Sequence, residues 1–267
     1  MGPIIIATLV VALTGLIIGV LLGVAGEKFK VEVDIKESQV REALPGNNCG
    51  GCGYAGCDAA AKAIAAGDAS VSVCPVGGSP VAERIAEIMG VKAEVAEKNV
   101  AFVKCSGTCE KAVDKSNYYG VSDCVAAMSA PGGSGKACSY GCMGLGSCVK
   151  ACPFDAIHVI DGIAKVDVEK CTACGNCVAI CPKQIIEIVP AKADFLVRCN
   201  SHDKGKEVKS KCDAGCIGCG MCTRACEYDA VHVENNLAYI DQSKCTKCGK
   251  CAEKCPTKVI RDLVATN

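Results

Sequence analysis

Three stretches repeat one spacing of cysteine, C-x2-C-x2-C-x3-C: Cys171, Cys174, Cys177 and Cys181; Cys216, Cys219, Cys222 and Cys226; and Cys245, Cys248, Cys251 and Cys255. Iron in a [4Fe-4S] cube takes one thiolate per iron, and a run of this spacing offers three from one tight turn, with the fourth coming from further along the chain. Pro182 and Pro256 follow the last cysteine of two runs, as in the bacterial pattern, and Glu227 replaces that proline in the third. Cys138, Cys142, Cys148 and Cys152 form a looser relative spaced x3, x5, x3, with Gly141, Gly144 and Gly146 to let the backbone fold around a cube. A separate group, Cys49, Cys52 and Cys57 followed by Cys74-Pro75, is interleaved with Gly50, Gly51, Gly53 and Gly56. Backbone N–H groups freed by such glycines face cluster sulfides and tune reduction potential. The letters Gly51-x-Gly53-x-x-Gly56 also fit a dinucleotide fingerprint, but no strand precedes them and cysteines sit within them, which excludes that reading.

In two-cluster ferredoxins the last cysteine of each run ligates the neighbouring cluster. The expected quartets are therefore Cys138, Cys142, Cys148 with Cys181; Cys171, Cys174, Cys177 with Cys152; Cys216, Cys219, Cys222 with Cys255; and Cys245, Cys248, Cys251 with Cys226. With Cys49, Cys52, Cys57 and Cys74 this makes at least five [4Fe-4S] clusters. Cys105, Cys109, Cys124, Cys199 and Cys212 are left over. Inert packing is the plain reading of any one buried thiol. A sixth cluster on Cys105, Cys124, Cys199 and Cys212, with Cys109 as spare, is the sharper one. Zinc ribbons also pair C-x2-C motifs, yet their ligand spacing differs from these runs.

Composition agrees with a cluster protein. The 25 cysteines among 267 residues accompany no Trp, only 4 Phe and 6 Tyr, so a large aromatic core is excluded. Cysteines this close together chelate more readily than they bridge, which points to a reducing compartment rather than a disulfide framework. Lys+Arg 29 balances Asp+Glu 29, which gives no bulk charge for nucleic acid. Lys204, Lys206, Lys209 and Lys211 crowd one segment, either as a solvated loop or as a docking patch for an acidic redox partner. No nucleophile and base pair, phosphate loop or flavin motif stands out.

The elements that must carry these cysteines begin with an uncharged stretch, residues 1–26. Residues 4–25 would span roughly 33 Å as a helix, enough to cross a bilayer. Lys28, Lys30, Lys36 and Arg41 follow it and nothing basic precedes it, which places the remainder on the cytoplasmic side. Gly15, Gly19 and Gly23 give the helix one smooth face for another membrane helix. Helices are expected at 38–44, at 57–66 stopped by Gly67, and at 79–89 with Ser79 as N-cap and Pro80 in the first turn. Residues 130–135 read as a linker. Cys152 to Cys181 realigns on Cys226 to Cys255 at a constant offset of 74 residues. Each copy reads as strand, turn (Asp161-Gly162 or Asn235-Asn236), strand and cysteine run. His158 and His232 hold equivalent strand positions and read as structural.

The fold class is thus α+β: an N-terminal transmembrane helix (1–28), a small helical four-cysteine [4Fe-4S] domain with a following helix (29–100), and two bacterial-ferredoxin-like modules (101–190 and 191–267). The uncharged N-terminal helix, the Ala43 to Cys57 stretch (ALPGNNCGGCGYAGC), and Cys138 to Cys148 (CSYGCMGLGSC) ahead of ferredoxin runs together resemble the RnfB family of the Rnf complex over essentially the whole chain. The first four-cysteine domain alone also resembles corrinoid iron–sulfur proteins. The resemblance implies one component of a membrane-bound ferredoxin:NAD+ oxidoreductase. It would take electrons from soluble ferredoxin and pass them to membrane and flavin-carrying subunits, in a complex coupled to Na+ or H+ export. The alternatives are a polyferredoxin relay of another membrane oxidoreductase, of hydrogenase or formate dehydrogenase type, and a non-redox zinc scaffold.

Overall fold

The computed structural model describes residues 2–28, 34–92, 97–133 and 135–263. It opens on α1 (Gly2–Lys28), a single 27-residue helix whose Leu13, Leu16, Ile17 and Leu21 are exposed. The expected membrane span falls on this helix, but several of its side chains lie outside the described residues. Among those described, no helix is long and apolar enough to cross a membrane.

A three-helix unit follows: α2 (Ile35–Ala43), α3 (Cys57–Ala66) and α4 (Gly78–Met89). Val40 from α2, Ala60, Ala61 and Ile64 from α3 and Ile85 from α4 form its core, aliphatic residues on the inward faces of short helices. α2 starts three residues earlier than the sequence indicated, because the Asp34 side chain accepts a hydrogen bond from the Lys36 N–H at 2.9 Å and caps it. α3 ends where expected, at Gly67 in the left-handed conformation (φ 82°). α4 starts before Ser79 and has no side-chain cap: Gly77 takes the cap position, where a Cβ would meet Val81 at 2.6 Å.

The chain then enters two related α+β modules. The first contains β1 (Asn99–Val103), α5 (Cys124–Ser129), α6 (Ser147–Lys150), β2 (Ile157–Ile160), β3 (Ile163–Val166), α7 (Asn176–Ile180) and β4 (Ile186–Pro190). The second contains β5 (Phe195–Val197), α8 (Gly205–Lys211), α9 (Met221–Ala225), β6 (Val231–Glu234), β7 (Leu237–Ile240), α10 (Lys250–Glu253) and β8 (Ile260–Asp262). β2–β3 and β6–β7 are antiparallel hairpins whose turn residues, Asp161-Gly162 and Asn235-Asn236, all have positive φ, which suits the twist of a two-residue hairpin. In each module the strand that enters pairs antiparallel with the strand that leaves: β1 with β4, and β5 with β8. Val103 faces Ile186 and Val197 faces Ile260, and the two isoleucines stand at the same 74-residue offset that relates the two copies. The buried clusters of both modules are built from Val, Ile and Ala packed directly against cysteines.

The expected linker, residues 130–135, includes Ser134, which lies outside the described residues, and Gly135 beside it is tied to the first module. The Gly135 carbonyl accepts from the Lys115 and Ser116 N–H groups at 2.7 and 3.2 Å, and Ala137 N–H donates to Val113 O at 2.8 Å, so the insertion before Cys138 is folded onto the first module.

Candidate iron–sulfur centres

In the three-helix unit Cys52, Cys57 and Cys74 pack on the same small core. Cys57 opens α3, and its N–H is held by the Asn48 Oδ1 at 2.8 Å. Burial raises the Cys74 thiol above its ordinary value, and Cys52 and Cys57 are close enough to raise it further. Cys49, the fourth member of this expected set, lies two residues before Gly51, which packs on the backbone of Cys174 in the first module.

The first module places Cys152, Cys171, Cys174 and Cys177 around one cavity, the set expected from interleaved ligation. Cys171 Sγ accepts from the Ala101 N–H at 3.3 Å and Cys152 Sγ from Ala156 at 3.4 Å. Burial pushes the Cys177 thiol up to about 12, with Cys171, Cys174 and Cys152 adding to it. A second cavity holds Cys124, Cys142, Cys148 and Cys181. The run beginning at Cys138 is thus divided: Cys142 and Cys148 meet Cys181, but the fourth thiol here is Cys124. Burial pushes Cys148 up to about 12, and Cys142, Cys124 and Cys181 raise it further.

Cys124 opens α5, and its position is set by a short chain of hydrogen bonds. Its N–H donates to Ser147 Oγ at 2.6 Å, while Ser147 donates to Asp123 Oδ2 at 2.9 Å. Asp123 Oδ1 in turn accepts from the Val125 and Ala126 N–H groups at 2.9 Å as the N-cap of α5.

The second module gathers Cys216, Cys219, Cys222 and Cys255 around a cavity as expected. Cys226, Cys245 and Cys251 pack in the same core, and Cys222 of the neighbouring set is near enough to raise the Cys251 thiol, which burial pushes up to about 11. Backbone-to-sulfur bonds repeat between the modules. Ala164 N–H donates to Cys142 Sγ and Ala238 N–H to Cys216 Sγ, both at 3.4 Å, and Ala230 N–H donates to Cys226 Sγ as Ala156 does to Cys152.

One further cavity lies between the modules, lined by Cys105, Cys138, Cys142, Cys199 and Cys212. Three members of the expected sixth set, Cys105, Cys199 and Cys212, are there; Cys124 is not, and Cys138 is. Cys109 is exposed and packs on Gly162 at the β2–β3 turn.

The donor sets fit [4Fe-4S] clusters in chemistry: four thiols line each ferredoxin-type cavity with few other polar side chains (Ser147 and Lys183, Thr172, or Thr257), and backbone N–H groups point at several of the sulfurs, an arrangement that tunes such clusters. Among the described residues no group of three or more His, Cys, Asp or Glu side chains is arranged to hold a single metal ion.

Comparison with known proteins finds iron–sulfur families along the same stretches of chain. Residues 44–76 match a family of Fe-S cluster domains, and residues 134–182 and 215–259 each match a 4Fe-4S dicluster domain family. The chain is 49% identical to the B subunit of the Na(+)-translocating ferredoxin:NAD(+) oxidoreductase complex of Acetobacterium woodii, over 92% of this chain and 74% of that protein. It is 45% identical to the B subunit of the ion-translocating oxidoreductase complex of Methanosarcina acetivorans, over 94% and 95%. It is 44% identical to the B subunit of the proton-translocating ferredoxin:NAD(+) oxidoreductase complex of Clostridium ljungdahlii, over 99% and 94%.

Proposed function

The chain belongs to the RnfB family, the B subunits of ion-translocating oxidoreductase complexes, and we propose on that premise that it is the relay that takes electrons from reduced soluble ferredoxin to the other subunits. [4Fe-4S] clusters supply one-electron transfer with little rearrangement. The chain's own part is to fix their spacing, exclude water and set their potential through N–H···S bonds and nearby charge.

The observation that carries this reading is the nearness of the cysteine sets: Gly51 packs on Cys174, Cys148 and Cys177 share one buried cluster, and Cys222 and Cys251 share another. Such neighbourhood suits relay rather than isolated structural sites. It also supports the quartets Cys49, Cys52, Cys57, Cys74; Cys152, Cys171, Cys174, Cys177; Cys216, Cys219, Cys222, Cys255; and Cys226, Cys245, Cys248, Cys251 as ligand sets.

α1 serves in this proposal as a single membrane span with the cysteine-bearing part on the cytoplasmic side. The uncharged residues 1–26, a helix of 27 residues, exposed Leu and Ile side chains, and open space around Gly15, Gly19 and Gly23 support it. The basic residues that follow support the orientation.

The test is reduction of the full chain, in its complex, by ferredoxin. Stoichiometric reduced ferredoxin should bleach the cluster absorbance, and NAD+ added to the intact complex should restore it. Absorbance indifferent to ferredoxin yet bleached by dithionite would assign the relay to a different donor.

A further inference from the structure

Cys138 and Cys212 are separated by 74 residues, the offset that relates the two modules, and each stands four residues before the first cysteine of its module's central run, Cys142 or Cys216. Cys105 and Cys199 are equivalent in a second way. Each follows the entering strand by two residues, after Val103 and Val197, which pair with Ile186 and Ile260 at equivalent positions. Four of the five thiols lining the junction cavity are therefore two related pairs, one member of each pair coming from each module.

The equivalence extends to how the sulfurs are held. Cys105 Sγ accepts from the Cys142 N–H at 3.3 Å and from the N–H of Gly107, two residues on. Cys199 Sγ accepts from the Cys216 N–H and from the Ser201 N–H, also two residues on, at 3.4 Å. Cys142 lines this cavity too, but its own sulfur is bonded to Ala164 as Cys216 is to Ala238, which assigns it to the neighbouring set.

Charge singles the cavity out. Lys104 and Arg198, whose N–H groups bond the equivalent carbonyls of Ile185 and Val259, both line it, Lys104 with its Nζ paired to Glu187 at 3.2 Å, and so do Lys136 and Lys211. Lys136 Nζ donates to the Gly107 and Gly162 carbonyls at 2.9 and 2.8 Å, and Lys211 pairs with Asp203 at 2.7 Å. Basic side chains gathered on buried neutral thiols gain little, whereas around four thiolates they offset a net negative site.

We propose that Cys105, Cys138, Cys199 and Cys212 hold a sixth [4Fe-4S] cluster at the junction of the two ferredoxin-like modules, and that Cys124 completes the set of Cys142, Cys148 and Cys181. This rests on the reading of the chain as a cluster relay and completes it. Cys105 bonds Cys142 on one side, and Cys199 bonds Cys216 on the other, so the junction set touches one set in each module. Each electron entering from one module leaves to the other, with no net change at the site.

The experiment is iron and acid-labile sulfide analysis of the anaerobically purified full chain, followed by electron paramagnetic resonance of reduced variants. About 24 irons per chain are expected for six cubes of four. Cys138→Ala and Cys212→Ala should each remove the same signal and about four irons, while Cys124→Ala and Cys181→Ala remove a different common signal; Cys109→Ala should retain every signal. About 20 irons in the unmodified chain would overturn the sixth cluster and leave the relay standing. Loss of one common signal in Cys138→Ala and Cys181→Ala would overturn the exchange of ligands. Iron-free protein would overturn both the sixth cluster and the relay.

Discussion

A Cβ placed on Gly51 would lie 2.6 Å from the carbonyl oxygen of Cys174 and 2.9 Å from its Cα. The four-cysteine unit and the first ferredoxin-like module meet there backbone to backbone, at a place where no side chain fits. Gly51 has an ordinary φ, so the space, and not the loop conformation, demands glycine. The result brings the segment that carries Cys49 against Cys174, two ligand candidates of different sets.

Gly51→Ala should therefore loosen the contact between the two units without disturbing either set of thiols. Overpacking of this kind costs about 1–3 kcal/mol. Hydrogen exchange of residues 46–57 and 171–175 should increase in the variant while its iron content stays at the unmodified level. Unchanged exchange would mean that the two units do not hold one another in solution.

Interleaving gives a second outcome. Cys226 packs with Cys245 and Cys251, and its sulfur is bonded by the Ala230 N–H, as Cys152 is by Ala156. Cys226→Ala should damage the centre on Cys245, Cys248 and Cys251 and spare the one on Cys216, Cys219, Cys222 and Cys255. Spectra of the reduced variant that lose the latter signal instead would show each run to be self-contained.

The hairpin turns at Asp161-Gly162 and Asn235-Asn236, the stop of α3 at Gly67, and the grouping of Cys152 with Cys171, Cys174 and Cys177 and of Cys255 with Cys216, Cys219 and Cys222 were legible in the sequence, because local turn chemistry and a fixed spacing determine them. The placing of Cys124, and not Cys138, in the cavity with Cys142, Cys148 and Cys181 was obscured by the run from Cys138 to Cys152, whose x3, x5, x3 spacing imitates a relaxed ferredoxin motif. The offset of 74 carried the missing signal: it sets Cys138 opposite Cys212, a cysteine outside any run, and sets Leu145 opposite Cys219. Spacing could not bring Cys124 to Cys148, since that contact depends on an insertion folding back through Ser147 and Asp123. The start of α4 was misplaced for a steric reason, the closeness of Gly77 to Val81.

The buried thiols also make cluster assembly dependent on pH. Burial pushes Cys148 and Cys177 up to about 12. A thiol held above its unfolded value of about 8.5 keeps a proton that the unfolded chain gives up. Its contribution to the stability of iron-free protein is complete below that value and is lost as pH rises toward about 12. The urea midpoint of iron-free chain should accordingly fall as pH is raised from about 9. Insertion of iron and sulfide runs the other way, since thiolates are the ligands, and should release up to about four thiol protons per cube. An iron-free midpoint constant from about pH 8 to about pH 10.5 would contradict the burial of these thiols.

The last prediction uses the repeat to exchange one ligand for another. Leu145 stands where Cys219 stands in the second module, and the Ser122 hydroxyl reaches its carbonyl at 3.2 Å, so the segment leading to Cys124 lies against it. In the proposed set Cys124 supplies the thiol that Leu145 lacks; its N–H is held by the Ser147 hydroxyl, beside Cys148 in the same cavity. Cys124→Ala should abolish the signal shared with Cys181→Ala, and Leu145→Cys in the same chain should restore it by returning the run to C-x2-C-x2-C spacing. Ser147→Ala, which leaves the Cys124 N–H without its partner in a buried place, should cost about 1–3 kcal/mol and weaken the same signal while the junction signal persists. Iron content and low-temperature spectra of the single and double variants decide the matter. Restoration of about four irons in Cys124→Ala with Leu145→Cys is the expected result; a double variant as iron-poor as Cys124→Ala alone would show that Cys124 does not occupy the place of Cys219.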